Sequence, residues 1–569
     1  MLAILLQGKR SWWKGNFVNR SLLVRNIVGI FLILFSISCN QLTLNNPCDQ
    51  KSKGYRETLL LASVSESPIP FCGFRVGNPP KLWETQAYLK ASNADANDGF
   101  GYSVDISGDT IVVGAAGESS NQTTITNGNS ASADNSATSS GAAYVFQRTG
   151  STWAQEAYIK APNTETTDFF GTAVAIDGNT ILVSAIQEDS NQITITNGPT
   201  ASIDNSASSS GAVYVFQRTG STWVQQAYIK PPNAEANDQF GISLSISGDT
   251  IVVGAFNEAS NQTTITNGTS ASANNSAAFA GAAYVFQRSG TSWAQQAYLK
   301  ASNIEANDRF GTSVSISGDT IVVGSGFEDS NQTTITNGAT ASTDNTASAS
   351  GAAYVYRRTG STWAEEAYLK APNADANDQF GNAVAIDGDT IVVGAFSEAS
   401  NQTAITNGTT ASSDNSAALA GAAYVFQRTG STWSHQAYLK PPNLGADDRF
   451  GNAVAIEGNT ILVSSIFEDN NQTTVTNGSM PNDDNSLSNS GAVYLFQRSG
   501  STWVFRAYLK APNADVDDRF GNAISISGDT AVVGVNLEDS NQNTITNGPT
   551  ASTNNSALTS GAAFVFIRK

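Results

Sequence analysis

Phe100-Gly101-Tyr102-Ser103-Val104-Asp105-Ile106-Ser107-Gly108-Asp109-Thr110-Ile111-Val112-Val113-Gly114-Ala115 is the stretch on which the reading of this chain turns. Residues 100–106 read as a short strand. Ser107-Gly108-Asp109 reads as a tight turn, where Gly supplies positive φ at no steric cost. Thr110–Ala115 is β-branched and apolar, as a buried strand is. A polar stretch follows, then a third strand at 142–147, a turn at 148–151 and a fourth strand at 152–159. No helical period interrupts the four.

The unit recurs. Trp stands at 83, 153, 223, 293, 363, 433 and 503, a period of 70, and Phe-Gly keeps step from Phe100-Gly101 to Phe520-Gly521. A fixed period of this kind marks a repeat architecture. A chain of 569 residues would in any case exceed one compact core, since cores stop growing near ~250–300 residues. Four strands in each of seven units predict an all-β, seven-bladed β-propeller. The rungs of the rival β-helix are shorter and need no tight antiparallel turns. If each blade begins at Phe-Gly, the last runs out of chain at Lys569 after three strands, while 82–89 is a fourth strand with no blade before it. The ring is therefore expected to close by that N-terminal strand joining the last blade, which removes two open sheet edges.

Phe-Gly opening one strand and Val113-Gly114-Ala115 ending the next resemble the FG-GAP repeat, as found in integrin alpha-chain propellers and many bacterial surface proteins. The resemblance covers 81–569. It implies a propeller and, for some members, a calcium loop Asp-x-Asp/Asn-x-Asp-Gly between the first two strands. Only tight turns such as Ser107-Gly108-Asp109 stand there, so that site is not carried over.

The N-terminal 26 residues hold five positive charges and no acid; an apolar run follows to Ser38-Cys39. A basic flank, a short apolar run and a small residue before a cut describe an export signal. Ser36-Ile37-Ser38-Cys39 resembles the lipobox of bacterial lipoproteins, which implies lipidation at Cys39. The expected layout is a signal or lipoprotein leader at 1–38, a tether at 39–80 and the propeller at 81–569. An oxidising compartment favours a disulfide between Cys48 and Cys72 in the tether. The expected location is outside the cytoplasm, anchored at the outer membrane or cell surface.

Charge narrows the partners. There are 48 acids against 30 bases, a net charge of −18. Nucleic acid needs a basic footprint and is not an expected partner. Of the 45 carboxylates in 81–569, 15 lie in the links between blades and 17 in the long loops after the second strands. Antiparallel alternation puts both sets on one face. The loop glutamates Glu118, Glu188, Glu258, Glu328, Glu398, Glu468 and Glu538 are taken as a partner-binding face, one per blade. In the links, Asp95 with Asp98, Glu235 with Asp238, and Asp375 with Asp378 offer spaced oxygens of the kind Ca²⁺ takes. Asx turns are the alternative. No cofactor is expected beyond that possible calcium.

Each long loop carries Thr-Ile-Thr-Asn-Gly or a close variant, such as 124–128. That pattern predicts a small hairpin projecting from every blade, with Ile125 and its counterparts as inward anchors. The lone His435 stands where other copies hold Gln, Glu or Phe, which suggests a tolerant, exposed strand site. The periodic Trp and Tyr are read as blade packing rather than a row for stacking sugars. The leading functional reading is a lipid-anchored surface propeller, expected as a monomer, that binds a protein or glycan as adhesin or scaffold. A carbohydrate-binding propeller is the first alternative. A lyase or hydrolase with a central-channel site is the second; near-identical blades and the want of an acid–base constellation speak against it.

Overall fold

The computed structural model describes residues 81–569. The leader, the tether and all three cysteines, Cys39, Cys48 and Cys72, lie outside the described residues, as does the apolar run before Cys39. Every regular element among the described residues is a strand, and the strands form seven five-stranded sheets.

In the first blade the inner strand is Phe100–Ser107, followed outward by Thr110–Ala115, Ala142–Thr149 and Thr152–Ile159. Thr110–Ala115 is buried along its whole length, because it is sandwiched within its own sheet and covered on both faces by neighbouring blades. That accounts for its continuous apolar character. The ring closes as the strand arithmetic requires. Trp83–Leu89 pairs antiparallel with Ala562–Arg568, placing an N-terminal strand in the same sheet as the last three of the chain.

Each hydrophobic cluster straddles two blades. In one of them Val112, Val145 and Ile159 of the first blade pack against Phe170, Tyr214 and Trp223 of the second. The seven repeat Trp are buried, at 0–4% exposure, so they pack the ring and cannot form a stacking row. The two glycines of the motif have a shared cause. A Cβ on Gly101 would sit 2.1 Å from the Ala562 carbonyl oxygen of the preceding blade, and one on Gly114 would sit 2.0 Å from that of Gly171 in the next. Backbones approach too closely there for any side chain.

The long loops depart from expectation. No free hairpin projects. Thr126–Asn127 instead adds to the outer edge of its own blade as a fifth strand, pairing with Ala157 and Tyr158, and Gly128 donates to the Glu156 carbonyl. The Asn127 side chain then reaches the next blade. Its Oδ1 accepts the Trp223 N–H at 2.7 Å and its Nδ2 donates to the Trp223 carbonyl at 3.2 Å. The same clasp runs round the ring to Asn477 with Trp83 and Asn547 with Trp153. Ile125 does point inward, against the cluster that holds Trp223.

A bulge prepares a second tie. The register between the third and fourth strands shifts at Val145/Phe146, which face Ala157 and Gln155 and leave Glu156 unmatched. Bulges re-aim side chains, and here Glu156 Oε2 accepts the Trp223 indole N–H of the next blade at 3.0 Å. Gln86, Gln226, Gln296, Glu366 and Gln436 do the same for their neighbours. Arg506 occupies this place in the remaining copy and has no acceptor to offer Trp83.

Candidate functional site: the axial mouth on the loop face

The expected ring of surface glutamates is not on the surface. Glu118, Glu188, Glu258, Glu328, Glu398, Glu468 and Glu538 are all buried, at 1–2% exposure. Glu118 Oε2 lies 2.9 Å from Lys160 Nζ, and Oε1 accepts from the Tyr158 hydroxyl at 2.8 Å and from Asn93 Nδ2 at 3.1 Å. Lys160 also donates to Ser140 Oγ and the Gly141 carbonyl. Each blade repeats the pair, through to Lys90 with Glu538 at 2.9 Å. Burial pushes each of these lysines down, against the pull of its glutamate. A charge removed from water must be paired and fully hydrogen-bonded. These glutamates fasten the start of the long loop to the end of the fourth strand, and they offer nothing to a partner.

The link carboxylates divide by position. Asp95 is exposed and accepts from Asn135 Nδ2; Glu235 and Asp375 are its counterparts and accept from Asn275 and Asn415. Asp98, Asp238 and Asp378 are buried, and each accepts the backbone N–H three residues back, at 2.8–2.9 Å. The buried aspartates thus brace the link backbone from within, by a bond to the third residue back rather than by an Asx turn, which bonds two residues on. Among the described residues no three His, Cys, Asp or Glu side chains are grouped to hold a metal. Burial raises the buried set: Asp98, Asp238, Asp378 and Asp448 are pushed up to about 7, and Asp168, Asp308 and Asp518 to about 8. The backbone N–H opposes that rise in each case.

Seven loop glutamates and seven link aspartates are thus turned inward, out of the 32 carboxylates the sequence assigns to this face. The exposed remainder includes Asp134, Asp204, Asp344 and Asp414, held below the usual carboxylate range by neighbouring Ser or Thr hydroxyls. His435 is not on the surface either. It is 7% exposed and packs against Tyr424 and Phe426 at ring distances of 5.9 and 5.5 Å. Burial pushes it down to about 4, so it is neutral at pH 7.

A different feature marks the mouth of the central axis. The copies vary in the outer part of the fourth strand, as at His435 and Arg506, and also at a few columns beside the innermost strand. One reads Gly117, Gln187, Asn257, Phe327, Ser397, Phe467 and Leu537; the column before it reads Ala116, Ile186, Phe256, Gly326, Phe396, Ile466 and Asn536. Another, in the links, reads Gly99, Phe169, Gln239, Arg309, Gln379, Arg449 and Arg519. The fold brings these columns together. A cleft of about 350 Å³ is lined by Asn97, Gly99, Tyr102, Ala116, Gly117, Phe169, Thr172, Ile186, Gln187, Asn536, Leu537 and Thr559. It opens where the first blade carries Gly99, Ala116 and Gly117 in place of bulky residues. Further round, arginines meet phenyl rings. Arg309 lies 4.6 Å from the Phe327 centroid and 5.6 Å from that of Phe256. Arg449 lies 4.6 Å from Phe467, which Arg519 approaches to 4.8 Å.

The sequence signals for both findings were present. Lys90, Lys160 and their counterparts recur in phase with the loop glutamates, so opposite charges are matched blade by blade. The variable columns are visible by stacking the repeats, but only the fold shows that loop and link columns converge.

The family model for the FG-GAP repeat matches residues 83–146, 153–216, 223–286, 293–356, 363–426, 433–496 and 503–566. Among curated proteins, none matches the chain. Among solved structures, the N-terminal domain of Nup159 aligns over 86% of this chain and 96% of its own, at 10% identity and a TM-score of 0.33. So weak a superposition bears on neither fold nor function. With seven matched copies forming one closed ring, the chain belongs to the FG-GAP repeat family.

Proposed function

We propose that this protein is an exported, lipid-anchored propeller that binds a macromolecular partner, a protein by preference, through the axial mouth of its loop face. One observation carries the binding site: several columns in which the repeats differ meet in one cleft beside the innermost strands of three adjacent blades. A seven-fold ring made of identical blades presents the same chemistry in every direction. A specific partner needs that symmetry broken, with anchors in pockets and adaptable polar groups beside them. Tyr102, Phe169, Ile186 and Leu537 supply apolar walls, and Asn97, Gln187 and Asn536 supply hydrogen bonding. The exposed acids outside the mouth favour approach of a partner with basic surface. The leader and Ser36-Ile37-Ser38-Cys39 support the anchor, because two or more acyl chains hold a protein at a membrane stably where one does not.

The test has two arms. Cys39→Ser should move the protein from membrane to soluble fractions, and mass spectra of wild-type protein without lipid would remove the anchor. On an array of surface proteins and glycans, any ligand of the wild type should be lost on Tyr102→Ala or Leu537→Ala and kept on Ser361→Lys, in an exposed turn of the opposite face. Binding that survives both mouth substitutions would place the site elsewhere. Glycans alone among the ligands would favour the carbohydrate-binding reading.

A further inference from the structure

Arg449 and Arg519 share one phenyl ring on a chain with an excess of acid. Their guanidinium carbons lie 4.6 and 4.8 Å from the Phe467 centroid, so they are at most 9.4 Å apart. Neither has a salt bridge to any described residue, nor a side-chain hydrogen bond, although Arg148, Arg218, Arg288, Arg358, Arg428 and Arg568 each have at least one carboxylate partner. Arg519 Nε is buried and has no acceptor. Burying a donor of a charged group without an acceptor is costly. Two like charges over one ring also repel.

The backbone gives no reason for arginine here. The backbone at this column is left-handed, with φ of 56° at both Arg449 and Arg519. Glycine adopts that conformation without strain, and Gly99 holds the same place at 61°. Gln239 and Gln379 hold it elsewhere with no charge at all. Beyond their contacts with Phe467 and, for Arg449, Phe396, the arginines have no side-chain partner among the described residues.

The geometry points to a carboxylate as the missing partner: we propose that Arg449 and Arg519, with Phe467 as floor, receive one Asp or Glu side chain of the partner protein. This rests on the mouth of the loop face being the binding site. Charge-assisted bonds of ~2.7–2.9 Å on either side of a carboxylate set two guanidinium carbons about 8 Å apart, within the limit the ring imposes. Arginine suits the task because its planar fork both stacks on an aromatic face and chelates a carboxylate. The exposed acids outside the mouth select against a polyanion such as a sulfated glycan, which they would repel along its length. A single acidic side chain on an otherwise basic surface meets both parts of the pattern.

The experiment uses the full chain and glutarate as the probe, titrated calorimetrically at constant ionic strength, with chloride as the control anion and a heparin oligosaccharide as the competitor class. Saturable glutarate binding is expected, at least tenfold weaker in Arg449→Gln/Arg519→Gln. Gln already occupies this column twice, so the double variant should melt within a few degrees of the wild type. Non-saturable binding to the wild type, equal binding to the double variant, or tighter binding of heparin than of glutarate would each overturn the inference. A protein ligand lost on Tyr102→Ala but held with undiminished affinity by the double arginine variant would overturn it too, while leaving the mouth as the site.

Discussion

Glu258 and Lys300 meet at 3.0 Å with no access to water, and removing one of them strands the other. Glu258→Gln is expected to destabilise the propeller by about 3–5 kcal/mol, read as a drop in the urea midpoint at constant slope. Replacing Glu258 and Lys300 together by apolar residues should cost less than either single change. A double variant worse than the sum of the singles would show that the pair is not the unit. Asp168 makes a pH prediction. Its folded-state value is pushed up to about 8, against about 3.9 when unfolded. Between those values the folded chain holds protons that the unfolded chain has released. This group's contribution is complete below about pH 4 and is lost as pH rises toward 8. The melting temperature should therefore fall from pH 5 to pH 8, and Asp168→Asn, whose amide oxygen still accepts the Glu165 N–H, should flatten that fall. A wild-type melting temperature that rises over this interval would contradict the assignment. At this scale the sequence misled for a definite reason. A carboxylate in a loop reads as solvated, and only a buried cation in phase with it says otherwise. His435 misled in the opposite way: tolerance of Gln, Glu and Phe suggested a surface, whereas the site is a half-polar gap beside Tyr424.

The long loop shows how far local pattern reaches. Thr124-Ile125-Thr126-Asn127-Gly128 does signal an extended segment that turns, and both parts are present. The pairing partner was not local: it is the fourth strand, about thirty residues on, and a short-range hairpin signal carries no information about that. Asn267 binds both backbone groups of Trp363 at 2.7 and 3.1 Å. Asn267→Ala should cost about 1–3 kcal/mol by leaving them unpaired and should speed proteolysis within loop 256–281. Unchanged cleavage would mean that the two-residue strand, not the clasp, holds the loop. Arg506 allows a prediction in the stabilising direction. Arg506→Gln supplies Trp83 with the acceptor its counterparts have, and is expected to add about 0.5–1.5 kcal/mol; a lower melting temperature would show that the arginine serves this seam in another way.

The whole ring was the most legible level, because blade number, phase and closure follow from counting. A period of 70, seven Trp and one strand out of place leave one arrangement in which every strand is paired. The mouth was not legible at this level, since the meeting of columns in one cleft depends on how the sheets are tilted. Deleting 81–92 should remove the strand that completes the last blade and expose the edge of Ala562–Arg568. Exposed edges invite pairing with other chains, so the deletion is expected to dimerise or aggregate, measured by light scattering. A monodisperse, fully stable deletion would mean that blade seven tolerates an open edge.

Pairing Trp83–Leu89 with Ala562–Arg568 also sets an order of events during synthesis. The segment made first in the ring is the one completed last. At ~5–20 residues per second, its partner leaves the ribosome roughly half a minute to a minute and a half later. Throughout that interval a strand rich in Trp, Tyr and Leu has no mate, while six blades assemble from neighbours already at hand. Maturation of this protein therefore has a waiting end, and whatever shields residues 83–89 from premature partners governs the yield of intact molecules.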